Sequence, residues 1–256
     1  MNEYGKLYSI VYDRLWGPFS SELAHRLVKY CEEDLSVPSN ANVLDICCGT
    51  GRISFVFLRY GSRVLGIDKS PDMLCRAKEI NSIYVEKGMA DFLEGDARCF
   101  VLDRPMDLAL SVFYSLNHLE NKEELSSCFG CVSRNLIDGG YFLFDLHTIL
   151  GLRYWLGMGF MEDDNLTVFS GAVHLQNMNT IYMQTTGFLE TKEGYYQKFK
   201  EVIRIVAFEL DEVRRLLELH GFHRIYFAST NDFKNRILEP EKERTVLVVA
   251  QKSEGG

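Results

Sequence analysis

The stretch "VLDICCGTGRIS", residues 43–54, leads from an apolar segment into two glycines one residue apart, with an acidic residue ahead of them. The apolar part predicts a β-strand, and "GRISFVFLRY" after it predicts a helix. Glycine lets the backbone approach a ligand closely, and the start of a helix offers N–H groups that have no partner within the helix. The stretch therefore predicts a nucleotide-binding turn between a strand and a helix.

Strand-like and helix-like segments alternate from this turn to residue 147. A helix is expected to begin at the serines of "SSELAHRLVKYCEEDL", and "SPDMLCRAKEINSIYVEK" and "KEELSSCFGCVSRNL" predict two more. The predicted strands are "NVLDIC", "RVLGID", "ADFLEGD", "MDLALSVF" and "GYFLFDL". Apolar strands that alternate with helices are typical of a doubly wound sheet covered on both faces.

The pattern changes between residues 165 and 208, where three β-rich segments predict three antiparallel strands. A helix at "ELDEVRRLLELHGF" and a final pair of strands follow. We therefore expect an α/β fold with a seven-stranded mixed sheet and a three-stranded antiparallel insert after strand five. The predicted parts are a cap and cofactor-binding core over 1–147, the insert over 148–208, and the rest of the core over 209–256.

Composition narrows the classes of partner. The 256 residues include 28 basic and 36 acidic ones, for a net charge of −8, so no broad positive field for polymeric nucleic acid is expected. The start of the chain lacks the pattern of a signal peptide, and no run reaches the roughly 18 apolar residues of a membrane span. Seven scattered cysteines fit a reducing compartment. We expect a soluble cytoplasmic protein without a membrane partner.

Two further acids follow later strands. Asp68 ends the second predicted strand, 17 residues beyond Gly51, and Asp96 follows the third. Ligands of open α/β sheets bind outside the carboxyl ends of the strands, and an acid after strand two can accept both hydroxyls of a ribose. A dinucleotide dehydrogenase shares these markers, but Ser54 stands where its third glycine would fall and Asp45 lies inside the strand.

The full set of motifs resembles the class I S-adenosylmethionine-dependent methyltransferases. "VLDICCGTG" is similar to their cofactor loop, "GIDKSPDML" to their ribose-binding segment, "EGDA" to the acid beside the adenine, and "LIDGGYFLFDL" to the approach to their fifth strand. The resemblance covers residues 8 to 147 and implies that S-adenosylmethionine is the cofactor.

Carried over residue by residue, the resemblance implies contacts with each part of that cofactor. The methionine part would lie against Asp45, Cys47, Gly49 and Gly51, the ribose on Asp68, the adenine between Lys69 or Met73 and Ala97, and the adenine amino group on Asp96. A second role remains open for Asp45, as a buried acid that only caps backbone N–H groups of the loop.

The opening "YSIVYDRLW" and the segment "SVFYSLNHL" resemble a small-molecule branch that includes glycine and amino-sugar N-methyltransferases. In that branch the N-terminal segment folds over the cofactor and the inserted strands cover the acceptor. Trp16 stands where sugar-modifying members tend to have tyrosine, which argues against an amino-sugar acceptor.

Methyl transfer from a sulfonium is an in-line displacement that needs alignment and exclusion of water. Aromatic walls suit such a site, and the candidates are Tyr12, Phe113, Tyr114 and Tyr182. Each of these aromatics could equally be ordinary core. His118 is the candidate base for an acceptor that must lose a proton, and His147 is the weaker candidate. Either histidine could instead be a hydrogen-bonding core or surface residue.

The sequence leaves the acceptor open. We expect transfer to a nitrogen or oxygen of a small molecule, with a dehydrogenase or a catalytically silent cofactor-binding protein as the alternatives. No spacing of histidines, cysteines and carboxylates predicts a metal. The edges of the insert could also pair subunits of a homo-oligomer.

Overall fold

The seven-stranded sheet expected from the sequence is confirmed in the computed structural model, which describes residues 5–155, 157–174, 179–191 and 193–254. Five strands precede the insert and two follow it. They are β1 (Asn42–Ile46), β2 (Arg63–Asp68), β3 (Ala90–Glu94), β4 (Met106–Ser111), β5 (Leu136–His147), β10 (Phe222–Ala228) and β11 (Thr245–Lys252).

The order across this sheet is β3-β2-β1-β4-β5-β11-β10. Neighbouring strands from β3 to β5 are parallel, whereas β11 runs antiparallel to both β5 and β10. The strand order reverses between β1 and β4, so the connections after these two strands leave in opposite directions. A crevice outside the carboxyl ends of such a pair is where doubly wound sheets bind ligands.

Helices cover both faces of the sheet. They are α1 (Lys6–Glu33), α2 (Arg52–Arg59), α3 (Pro71–Ile80), α4 (Ser82–Glu86), α5 (Lys122–Asn135), α6 (Ile149–Tyr154) and α7 (Leu210–Leu219). Two large apolar clusters fill the space between the sheet and these helices. The described helices are all too short or too polar to span a lipid bilayer.

The first helix differs from the prediction. We expected it to begin at Ser20, but α1 begins at Lys6 and continues through Pro18. Ser20 and Ser21 do not cap a helix, since each hydroxyl donates to a backbone carbonyl four residues back. A proline inside a helix removes one backbone hydrogen bond. The single predicted helix after β2 also divides, at Asn81, into α3 and α4.

The insert forms a four-stranded antiparallel sheet, so the expected number of three strands was wrong. Its order is β6 (Met158–Asp163), β7 (Leu166–His174), β8 (Thr180–Glu190) and β9 (Tyr196–Val206). The extra strand β6 is exposed along its whole length and pairs only with β7, which explains why it carries no alternating pattern. The division of the chain at residues 147 and 208 stays a prediction.

One face of the insert packs onto the N-terminal half of α1. Ile181, Ile203 and Phe199 lie in a third apolar cluster with Tyr8 and Val11. A short 3-10 turn after β4 joins the insert to the main sheet, because the buried Asn117 side chain donates to the carbonyl of Val206 and accepts from the amide of His147. The insert is therefore held near the carboxyl edge of the main sheet.

Candidate active site

The turn between β1 and α2, residues 47–51, is called the glycine turn below. Cys47, Gly49 and Gly51 all have left-handed backbone conformations, with φ of 57°, 53° and 71°. A Cβ on Gly51 would lie 2.7 Å from the Asn81 side-chain nitrogen and 3.0 Å from the Cβ of Ala77, whereas a Cβ on Gly49 would meet no atom within 4 Å. Gly51 is therefore required for packing against α3, and Gly49 borders open space.

Asp45 lies in β1 below this turn and is almost fully buried. Its carboxylate accepts a 2.6 Å hydrogen bond from the hydroxyl of Ser54. Burial raises the pKa of Asp45 to about 7, although the Ser54 bond opposes the shift. Ser54, which stands at the position of a dehydrogenase's third glycine, thus has a defined partner in the strand.

Asp68 at the end of β2 supports the glycine turn directly. One carboxylate oxygen accepts from the amide of Gly49 at 2.9 Å and the other accepts from the amide of Ser70 at 2.9 Å. Burial raises the pKa of Asp68, while these backbone hydrogen bonds oppose the shift. A half-buried carboxylate at the end of the second strand is suitably placed for ribose hydroxyls.

Asp96 belongs to an ion-pair cluster beside β3. It accepts from the amide and guanidinium of Arg98 and lies 3.1 Å from the ammonium of Lys69, and Arg98 also pairs with Glu124 of α5. Burial alone would raise the pKa of Asp96, but the bonds from Arg98 and Lys69 bring it well below its usual range. An adenine amino group would therefore share this carboxylate with two cations.

Two residues expected near the adenine lie in the apolar core. Met73 is 2% exposed and belongs to the cluster that joins α1 to the insert. Ala97 is 4% exposed and packs among the residues on one face of the main sheet. The structure brings neither side chain together with the open space at Gly49.

A pocket at the reversal point between β1 and β4 brings five of the predicted residues together. The glycine turn forms one wall, Val112 and Phe113 after β4 form the other, and α1 closes the pocket from above. The predicted members are Tyr12, Asp45, Cys47, Gly49 and Phe113. Burial raises the pKa of Tyr12, so its hydroxyl stays neutral.

Asp13 attaches α1 to the glycine turn. Its buried carboxylate accepts from the Thr50 hydroxyl at 3.1 Å and from two nitrogens of Arg52 at 2.6 and 2.7 Å. Burial would raise the pKa of Asp13, but the hydrogen bonds and charge of Arg52 lower it. The carboxylate is therefore ionised at neutral pH and holds the neighbouring Tyr12 over the pocket.

The turn that follows β4, residues 113–114, is called the aromatic turn below. Phe113 and Tyr114 both have positive φ, 64° and 59°. Asp145 of β5, which is 4% exposed, accepts from the Tyr114 amide at 2.6 Å. Burial raises the pKa of Asp145 to about 7, although the backbone of the aromatic turn opposes the shift.

The two candidate bases lie in different surroundings. His147 is buried, its ring stacks 3.7 Å from that of Tyr114 and 4.2 Å from that of Trp155, and its ring nitrogens have no hydrogen-bond partner among the described residues. Burial lowers the pKa of His147 to about 4, although the backbone of Arg244 opposes the shift. His118 is exposed, and its Nδ1 lies 3.1 Å from the carbonyl of Arg204 in β9.

Two other aromatic residues lie away from the pocket. Tyr182 alternates with the buried Ile181 and the partly buried Met183, so it lies on the outer face of the insert, 40% exposed. It does not line the pocket at the reversal point, and its expected place as a wall of the site stays a prediction. Trp16 is 45% exposed and packs against Phe19 on the surface of α1. The residue at position 16 therefore does not discriminate between acceptors from within the pocket.

Sequence reasoning missed three residues that shape the site. Asp13, Asn81 and Asp145 each hold a backbone segment or helix in place through contacts with residues 30 to 39 positions away. Asp145 was visible only as one polar residue in the strand "GYFLFDL", and Asn81 only as one position in a predicted helix. Within the described ranges, no three His, Cys, Asp or Glu side chains come together as metal ligands.

This geometry agrees with comparisons to known proteins. Residues 43–140, which run from β1 into β5, match the family described as "Methyltransferase domain". This stretch of the chain is similar to a methyltransferase domain. The glycine turn, Asp68, Asp96 and the aromatic turn all fall inside it.

Sequence similarity extends beyond the methyltransferase domain. YqeM, a proposed methyltransferase of Bacillus subtilis, is 28% identical over 229 residues, which cover 86% of this chain and 87% of that protein. Two solved structures share the fold. An S-adenosylmethionine-dependent methyltransferase from Clostridium acetobutylicum has a TM-score of 0.80 at 18% identity and covers 96% of this chain and 98% of its own.

The second solved structure is an amino pentose methyltransferase from Micromonospora echinaspora with S-adenosylmethionine bound. It has a TM-score of 0.68 at 19% identity, and the match covers 99% of both chains. The comparisons support S-adenosylmethionine as the cofactor and give no support to the dehydrogenase alternative. The open space at Gly49 and the carboxylate at the end of β2 fit that cofactor.

Proposed function

We propose that the chain transfers the methyl group of S-adenosylmethionine to a nitrogen or oxygen of a small molecule. The pocket at the reversal point between β1 and β4 carries this proposal, because α1 covers the pocket and the insert packs on α1. A covered pocket admits a small acceptor more readily than a polymer. The net charge of −8 also disfavours nucleic acid.

The cofactor supplies a methyl group on a positively charged sulfur, which a lone pair of the acceptor displaces in line. Gly49 and Asp68 would bind its methionine and ribose parts. Phe113 and Tyr12 would keep water out of the pocket and offer aromatic surface to the positive charge. The protein then contributes mainly alignment and exclusion of water.

Of the two histidines, we assign the base to His118. A proton on Nδ1 that is donated to the Arg204 carbonyl leaves the lone pair on Nε2. A group with a pKa near 4, as His147 has, is a weak proton acceptor at neutral pH. The buried His147 would instead orient Tyr114 by stacking.

The acceptor class follows from the relatives only in outline. An amino pentose is the substrate of one protein with the same fold, and an amine or hydroxyl of similar size is the acceptor that we propose. We place the reaction in the cytoplasm, because all seven cysteines are free thiols, as a reducing compartment would keep them.

Calorimetric titration with S-adenosylmethionine, and separately with a nicotinamide dinucleotide, tests the cofactor. We expect saturable binding of the first and none of the second. Binding of the dinucleotide alone would contradict the proposal. Saturable binding with no S-adenosylhomocysteine formed from any of a broad set of amine, hydroxyl and carboxylate metabolites would instead favour a silent cofactor-binding protein.

Once an acceptor is found, His118→Ala tests the base. We expect turnover to fall about 100-fold or more, because a positioned base contributes about that much, while S-adenosylmethionine binding persists. His25→Ala is the matched control, since His25 is exposed on α1, where its Nδ1 lies 2.6 Å from the carbonyl of Ser21 and its ring packs against Tyr60. Equal turnover in both variants would remove His118 from the reaction.

A further inference from the structure

The aromatic turn has an unusual backbone for its residue types. Phe113 and Tyr114 are consecutive, neither is glycine, and both are left-handed. In this conformation the Cβ of an L-residue crowds the following carbonyl oxygen, so single visits are uncommon and paired ones more so. Such a backbone persists only where surrounding contacts hold it.

Asp145 is the contact that can hold it. In the parallel pairing of β4 with β5, Ser111 lies opposite Phe144, so the next residue of β5 falls beside the start of the turn. The Asp145 carboxylate accepts the amide of Tyr114 at 2.6 Å, which belongs to the peptide bond between the two left-handed residues.

The turn directs its two side chains toward different parts of the site. Phe113 lines the pocket with Tyr12 and Gly49, where the cofactor is proposed to bind. Tyr114 stacks on His147 at the end of β5. A change of conformation at either residue would move both rings, so one backbone geometry sets both contacts.

We propose that Asp145 is a positioning residue, which holds the aromatic turn left-handed and so keeps Phe113 against the cofactor and Tyr114 against His147. The part that concerns the cofactor rests on the proposed function. Asp145 itself touches the backbone amide of Tyr114 and takes no part in the methyl transfer.

A mutant cycle in the cofactor-free protein tests the backbone part. Tyr114→Gly and Tyr114→Ala remove the same ring, but only alanine keeps the Cβ that crowds a left-handed backbone. We expect the unfolding equilibrium constant of Tyr114→Ala to exceed that of Tyr114→Gly by about tenfold. When Asp145→Asn is also present the turn can relax, and the unfolding equilibrium constants of the two Tyr114 variants should then differ by less than about threefold.

Binding tests the functional part. We expect Asp145→Asn to weaken S-adenosylmethionine binding by about tenfold or more, because Phe113 loses its fixed position. Asp138→Asn is the matched control, since Asp138 lies at the other end of β5 and pairs with Lys252 on the surface. Its affinity should equal that of the wild type.

The outcomes separate the two proposals. A tenfold difference that persists in the Asp145→Asn background overturns the positioning role, as does unchanged cofactor affinity in Asp145→Asn. A wild-type protein that does not bind S-adenosylmethionine overturns the proposed function and leaves the cycle valid. If Asp145→Asn does not fold, amide exchange of wild-type Tyr114 decides, because rapid exchange there would contradict a bond to a buried carboxylate.

Discussion

The glycine turn and the aromatic turn follow neighbouring parallel strands and face each other across one pocket. Both have left-handed backbone, and in both a carboxylate from the next strand accepts a backbone amide of the turn. Asp68 serves the glycine turn and Asp145 serves the aromatic turn. The turns differ in residue type, since one uses glycines at two of its three left-handed positions and the other uses none.

The difference concerns how a binding surface is made. Glycine takes the left-handed conformation without steric cost and leaves space for a ligand at the backbone. The aromatic turn keeps its side chains and depends on Asp145 to oppose the steric cost. The left-handed conformation therefore serves both walls of the pocket. One wall exposes backbone and the other exposes aromatic rings.

The largest expected effect separates the two glycines of the glycine turn. Gly51→Ala should destabilise the protein by about 4 kcal/mol, because the added Cβ would crowd Asn81 and Ala77 and would also be left-handed. Gly49→Ala should cost about 1 kcal/mol, since it carries only the conformational penalty. Denaturant unfolding of the two variants measures the difference, and equal losses would contradict these distinct roles.

The next effect concerns Asp68. We expect Asp68→Ala to weaken S-adenosylmethionine binding by about 100-fold, or about 2.7 kcal/mol, because the cofactor loses its ribose partner and the Gly49 amide loses its acceptor. Calorimetry measures the affinity. Asp91→Ala is the control, an exposed carboxylate on β3 that accepts from the amide of the next residue. Similar affinities in the two variants would refute the ribose assignment.

The glycine turn was predictable from sequence, whereas the aromatic turn was not. Gly49, Gly51 and Asp68 carry local signals, because glycines between a strand and a helix, followed by an acid at the next strand end, are typical of nucleotide-binding sites. Nothing in the letters Phe and Tyr indicates positive φ. The partner that makes it tolerable, Asp145, is 31 positions away from Tyr114 and lies in another strand.

The difference between local sequence signals and contacts made by distant residues also explains the errors in the predicted fold. The seven strands of the main sheet are mostly buried and repeat a strong pattern, so their number was predicted correctly. Strand β6 pairs with β7 at the edge of the insert and buries no face, so no periodicity identified it. Helix α1 continues through Pro18 because Tyr8 and Val11 pack on the insert, which is a contact between distant parts of the chain.

A smaller effect is expected where α1 meets the glycine turn. Asp13→Ala should destabilise the protein by about 2 kcal/mol, because Arg52 and Thr50 lose the buried carboxylate that accepts their hydrogen bonds. Arg52 is partly exposed to water, which limits the loss. Arg14→Ala is a matched control on the same helix, since its ion pair with Asp163 is exposed and should contribute under about 1 kcal/mol. Equal losses would mean that Asp13 does not hold α1 to the turn.

The smallest effect is a dependence on pH, and it compares the carboxylates below the two turns. Asp45 and Asp145 have folded-state pKa values of about 7, above the unfolded value of 3.8. The folded state therefore binds these protons more tightly, and the stability they contribute is present at low pH and lost as pH rises from about 4 to about 7. His147, with a pKa lowered to about 4, has the opposite effect as pH falls below about 6.5.

Asp45→Asn isolates one carboxylate from these opposing contributions. The variant should gain stability relative to the wild type by about 1 kcal/mol per pH unit as pH rises from 5 to 7, because asparagine has no proton to lose. Above pH 8 the difference should be constant. Parallel curves for Asp45→Asn and the wild type would show that Asp45 is ionised throughout this range and that Ser54 offsets its burial.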